Sequence, residues 1–159
     1  MHKDSQGFER TCALADLAAT DALGARIAAS MRIGDAVALE GDLGAGKTTL
    51  ARAILRALGV TENVPSPTFT LVQSYDTARM VVRHFDLYRV EDSAEIDALG
   101  LDEALDEGAA LIEWPERAGT RLPDSALHVA LSLDQNGRRA RLTGTGHWAD
   151  AFAEDQHAH

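Results

Sequence analysis

The nine residues Gly41-Asp42-Leu43-Gly44-Ala45-Gly46-Lys47-Thr48-Thr49 obey the pattern GxxxxGKT, and no other stretch restricts the fold of this chain so tightly. The pattern needs a strand before it and a helix after it. Ala36-Val37-Ala38-Leu39 is a short apolar run fit for a buried strand, and Leu50, Ile54 and Leu58 then recur at helical spacing until Gly59 stops them. Glycines let the backbone curl so that successive N–H groups point at one centre, and the helix that follows adds its partial positive end to the same point. A polyphosphate fits that shape. Lys47 would reach the outer phosphates as a point charge, and the Thr48 hydroxyl would take one coordination place on a magnesium ion that bridges them. The expected fold is α/β, a P-loop NTPase-like three-layer domain with a central mixed sheet flanked by helices.

A chain of 159 residues with 45% apolar content buries a full core without metal or disulfide help. Residues 1–145 are expected to form a single P-loop domain, and residues 146–159 a polar tail that frays. The only cysteine, Cys12, has no internal disulfide partner, and Met1-His2-Lys3-Asp4-Ser5-Gln6 lacks the apolar core of a signal peptide. No apolar run approaches the roughly 20 residues of a membrane span, so a cytoplasmic protein is expected. A net charge of −10 works against unaided nucleic-acid binding, which relies on cations neutralising phosphates. If RNA is involved, another protein would hold it. Eight carboxylates fall between Glu91 and Glu107 with no basic residue among them, which reads as a solvated helical face or as a docking surface for a basic partner.

Along the chain, residues 7–14 alternate weakly, as an edge strand does, and residues 16–31 put Leu23, Ile27 and Met31 on one helical face. Val64-Pro65-Ser66-Pro67-Thr68 reads as a stiff, extended loop, because two prolines forbid helix. Residues 69–75 and 80–88 are rich in β-branched and aromatic residues and suggest a hairpin. Residues 91–107 read as two short helices divided at Gly100, the first opened by Asp92 with Glu95 three positions on. Ala109-Ala110-Leu111-Ile112 is a wholly apolar strand that ends in Glu113, and the alternation from Leu127 to Leu133 returns through residues 138–143 as a closing hairpin.

Hydrolysis needs a carboxylate for the magnesium shell and a group that places the attacking water. Glu113, at the tip of a buried strand, is assigned to the magnesium directly or through water. Asp86 ends the second strand of the first hairpin and would share the metal shell or act as a base, the structural alternative being a cap on the next turn. Thr68, on its proline-stiffened loop, would meet the γ-phosphate and make the loop a nucleotide-dependent switch. His84 shares a strand face with Asp86 and reads as a core histidine; Trp114 reads as packing. His147, His157 and His159 have no metal-binding spacing.

Together, GDLGAGKTT at 41–49, SPTFTLV at 66–72, HFDLYR at 84–89 and EWPERAG at 113–119 closely resemble the TsaE (YjeE) family of bacterial ATPases. That resemblance implies the ATPase component of the machinery that makes threonylcarbamoyladenosine in tRNA, with ATP and Mg2+ as ligands. It also implies two protein partners of sugar-kinase-like fold, one of which catalyses the transfer, with tRNA reached only through them. By motif, Leu43, Gly44, Ala45, Gly46, Lys47, Thr48 and Thr49 would hold the phosphates, and Thr48 and Glu113 the magnesium. Asp86 would be needed for hydrolysis, and Thr68 would belong to the switch loop. Gly137-Arg138 looks similar to a family Gly-Arg whose arginine lies against the nucleotide. The extra proline at 65 departs from the pattern. Among rivals, a GTPase needs an Asn-Lys-x-Asp element, which neither Lys3 nor Lys47 provides. A small-molecule kinase would use Arg117 and Arg121 as a phosphoryl-clamping lid, and a non-catalytic ATP-sensing module would bind without releasing phosphate.

Overall fold

A strand that is apolar along its whole length has to be covered on both faces, and that requirement sets the architecture. The computed structural model describes residues 7–42, 44–67, 70–135 and 137–153. In chain order it runs β1 (Gly7–Leu14), α1 (Leu17–Ser30), β2 (Ala36–Glu40), α2 (Lys47–Ala57), β3 (Val72–Asp76) and β4 (Val81–Asp86). It continues through α3 (Ser93–Leu99), α4 (Leu101–Glu107), β5 (Gly108–Glu113), β6 (Leu127–Asp134), β7 (Gly137–Thr145) and α5 (His147–Ala153). Two 3₁₀ turns, Pro115–Arg117 and Gly119–Arg121, follow β5.

The seven strands form one mixed sheet in the order β1-β7-β6-β2-β5-β4-β3. β6, β2, β5 and β4 are mutually parallel, and the margins close with antiparallel pairs. Alternate residues of the central strands serve two cores. Val37, Leu39 and Leu111 pack with Ile27 of α1 and Leu50 and Ile54 of α2. Ala36, Ala110 and Ile112 pack on the other side with Phe85, Ile96 and Leu101. The α/β, three-layer expectation matches this architecture, and no helix among the described residues is long and apolar enough to cross a membrane.

Local signals in the chain explain the element ends. Asp16 caps α1, its carboxylate accepting from the Ala19 amide at 2.9 Å. Asp92 and Glu95 close a reciprocal capping box at the start of α3, and Gly100 at φ 80° separates α3 from α4. The 72–76 strand starts later than residue 69: Leu71 at φ 70° turns the chain, its amide donating to the Pro67 carbonyl at 2.7 Å. Phe69 lies outside the described residues. β4 stops at Asp86, earlier than residue 88, where the Asp86 carboxylate accepts from the Tyr88 amide at 3.0 Å.

The expectation of a frayed tail fails for residues 147–153. They form α5, whose Trp148 and Phe152 are buried at 1% exposure each. Four positions apart, these two rings share a helical face, a signal outweighed by the polar character of the tail as a whole. Phe152 stacks on Phe8 of β1 with ring centroids 5.5 Å apart, and the Arg26 guanidinium lies 4.6 Å from its centroid. The Phe152 carbonyl accepts from Arg10 at 3.0 Å. Phe152→Ala is therefore expected to lower stability by about 3 kcal/mol, the low end for a buried aromatic at a sheet margin that can partly collapse; urea unfolding measures this, and a change below about 0.5 kcal/mol would contradict the packing role. His157 and His159 lie outside the described residues.

Candidate functional site

The phosphate-binding loop sits where parallel strands end, at the C-terminal edge of the sheet, and its glycines are there for steric reasons. Gly41, at φ 141°, approaches β6 so closely that a Cβ would stand 2.5 Å from the Leu131 carbonyl oxygen. Gly46, at φ 105°, opens α2 from the left-handed region, and a Cβ there would meet the Arg138 side chain at 3.0 Å. Arg138, at the start of β7, lies across the loop and donates to the Gly44 carbonyl at 3.3 Å.

A cavity of about 250 Å³ lies between this loop and the ends of β4 and β5. Gly44, Gly46, Lys47, Thr48, Thr49, Asp86, Glu113 and Arg138 line it, joined by Ser66 and Trp114. Most of the expected site residues, drawn from four separate parts of the chain, thus face one space. Ala45 is buried and instead lines the neighbouring hollow beside Leu131 and Leu133. Leu43 and Thr68 lie outside the described residues.

Parallel pairing carries the acidic end of the cavity. β4 and β5 align so that Asp86 stands opposite Glu113, and both are buried, at 5% and 3% exposure. The Thr48 hydroxyl lies 2.9 and 3.1 Å from the two Glu113 carboxylate oxygens. A hydroxyl that donates its proton to a carboxylate keeps its lone pairs for a cation. Hydroxyl and carboxylate oxygens are the hard donors magnesium prefers. Among the described residues no group of three or more His, Cys, Asp or Glu side chains could hold a metal alone, so a cation here would draw further oxygens from phosphate and water.

Lys47 is buried at 5% exposure, donates to the Gly41 and Asp42 carbonyls, and places Nζ 3.6 Å from the centre of the Trp114 ring. Burial pushes its ammonium below the ordinary lysine range, while Glu113, Asp86, Glu116 and Asp42 pull it back up. Trp114 does more than pack: it takes φ 59°, outside the region bulky residues prefer, lines the cavity, and sets its ring 4.9 Å from Tyr88. Ser66 also lines the cavity, and its place between Pro65 and Pro67 is the one sequence signal for it. His84 is fully buried, as a core histidine should be, yet its Nε2 lies 2.6 Å from Glu113 Oε2.

Arg117 and Arg121 stand away from the cavity. Arg121 makes a two-pronged pair with Asp97 at 3.0 and 2.9 Å, and Arg117 donates to the Val90 carbonyl at 3.2 Å. His147 bonds to the Asp35 carboxylate at 2.9 Å.

Just before the loop, Glu40 Oε2 lies 2.7 Å from His128 Nδ1. That hydrogen bond holds the Glu40 carboxyl below the usual carboxylate range and raises His128 above the usual imidazole range, in each case against a smaller effect of burial. Glu40's contribution is present above about pH 4.5 and is lost as pH falls through its lowered folded value; that of His128 is present below about pH 6.5 and is lost as pH rises through its raised folded value. The melting-temperature deficit of His128→Gln should therefore be largest between those values and shrink on either side. The pair is part-exposed, so the deficit is small. A deficit that grows steadily to pH 9 would contradict the pairing.

The family model described as "Threonylcarbamoyl adenosine biosynthesis protein TsaE" matches residues 14–141. The chain is 36% identical over 142 residues to the Bacillus subtilis "tRNA threonylcarbamoyladenosine biosynthesis protein TsaE", covering 88% of this chain and 89% of that one. A Nostoc protein of the same name is 39% identical over 136 residues, covering 82% and 83%. The crystal structure of Bacillus subtilis YdiB superposes with a TM-score of 0.75 at 28% identity, covering 97% of both chains.

Proposed function

Because the chain belongs to the TsaE family, we propose that it is a magnesium-dependent ATPase of tRNA threonylcarbamoyladenosine biosynthesis, whose hydrolysis drives turnover of a partner transferase complex in the cytoplasm. The observation that carries this reading is the convergence of Lys47, Thr48, Asp86 and Glu113 on one cavity beside a GxxxxGKT loop. The amides of residues 43–49 and the ammonium of Lys47 would hold the phosphates, and Thr48 and Glu113 would hold the cation. A magnesium ion held there would supply positive charge to the phosphate oxygens during the transfer. Asp86 orients the attacking water and accepts its proton as the bond to ADP breaks. Trp114 and Arg138 add an apolar and a cationic side chain to the cavity wall that would face the nucleotide.

The partners are two proteins of sugar-kinase-like fold, and tRNA is reached through them, in keeping with the net charge of −10. The kinase alternative loses its lid, since Arg117 and Arg121 are engaged with Val90 and Asp97. Phosphate release measured with and without the purified partner pair and tRNA tests the proposal. Slow hydrolysis alone that rises on mixing supports it; phosphate transferred to a small acceptor, or no release in any mixture, refutes it.

A further inference from the structure

We infer that His84 is a positioning residue, whose ring pins one oxygen of Glu113 and so decides which carboxylate oxygen faces the cavity. The inference rests on the reading of Glu113 as a magnesium-side carboxylate. Register brings the two together: β4 pairs with β5 so that His84 stands opposite Leu111, two residues before the Asp86–Glu113 pair and on the same face. The imidazole is wholly buried, with Nε2 2.6 Å from Oε2.

The other ring nitrogen, Nδ1, is buried without a partner among the described residues. A proton there would leave a strong donor unsatisfied, so the network assigns the ring proton to Nε2, donating to Glu113. A histidine kept only for packing has no need of the cavity's carboxylate as its partner. Thr48 has a single hydroxyl proton but stands within reach of both Glu113 oxygens, 3.1 Å from Oε1 and 2.9 Å from Oε2, so it does not by itself fix the carboxylate. Without a second donor the carboxylate is free to rotate. With Oε2 engaged by the ring at 2.6 Å and also the nearer oxygen to Thr48, Oε1 is left for the cation or its water. Partners behind a metal-side ligand act in this way, and their loss typically weakens metal binding about 10- to 100-fold.

The test is a Mg2+ titration of the binding of a fluorescent ATP analogue, made on wild type, His84→Leu and His84→Gln. In His84→Leu the Mg2+ concentration at half-saturation should rise about tenfold or more. In His84→Gln, whose amide nitrogen reaches the same point, it should return to within about threefold. Affinity in EDTA should be equal in all three. Where His84→Leu does not fold, His84→Asn replaces it: its shorter amide stops short of Oε2, so it should be impaired where Gln is not. A folded His84→Leu that titrates like wild type, or Gln as impaired as Leu or Asn, overturns the inference alone. A wild type whose nucleotide binding ignores Mg2+ overturns the reading of the site, and this inference with it.

Discussion

Lys47→Ala should reduce ATP turnover by at least about a thousandfold and weaken binding of ATP with magnesium by about a hundredfold, while leaving the fold intact. The binding loss corresponds to about 2.7 kcal/mol, within the range for a hydrogen bond to a charged group in a part-buried site. The larger loss in turnover follows because negative charge builds on the oxygens of the leaving ADP as the bond breaks, and a preplaced cation counts most at that point. Stability should change little, because the relief of the ammonium's burial cost is offset by the counter-charge taken from the buried Asp86 and Glu113. Lys47→Arg should not restore activity: the ammonium fits between the Gly41 and Asp42 carbonyls and the Trp114 ring, and a planar guanidinium is too wide for that seat. Phosphate release and calorimetry measure both effects. Turnover within tenfold of wild type would contradict the assignment.

Asp86→Asn should lower turnover about 10²- to 10⁴-fold, the range for loss of a general base, with ATP–magnesium affinity changed by less than about threefold. The substitution is a clean one, since an asparagine oxygen still accepts from the Tyr88 amide and preserves the turn after β4. What it removes is the ability to take a proton and the negative charge beside Glu113. Single-turnover hydrolysis and a magnesium titration separate these. A loss of turnover that excess magnesium restores would place Asp86 in the cation's shell, contrary to the proton-accepting role.

Much of the site could be read from the sequence because the phosphate loop is local: its glycines, lysine and threonine are consecutive, and the flanking strand and helix carry their own periodicity. Glu113 and Asp86 were legible for a different reason. Each ends a strand, wholly apolar before Glu113 and less so before Asp86, and parallel strands that end level bring their tips together. Their pairing as neighbours depended on β5 lying between β2 and β4, which no local pattern states. The contact of His84 with Glu113 was hidden in the same way, since a buried histidine reads alike whether its partner is a backbone carbonyl or a cavity carboxylate. Trp114 reads as packing in the sequence because nothing in Glu113-Trp114-Pro115 announces a left-handed residue that turns an indole toward Lys47. The helix at 147–153 was missed because its burial comes from Phe8 and Arg26, residues more than a hundred positions away.

The central claim is that the loop, Lys47, Thr48 and Glu113 together grip a metal-bound triphosphate. Calorimetric titration of ATP into folded wild-type protein, once with magnesium and once with EDTA, tests it most directly. The account predicts saturable one-to-one binding that weakens at least about tenfold when the cation is withheld. Absence of binding in both buffers, from protein with an intact circular dichroism spectrum, would contradict it.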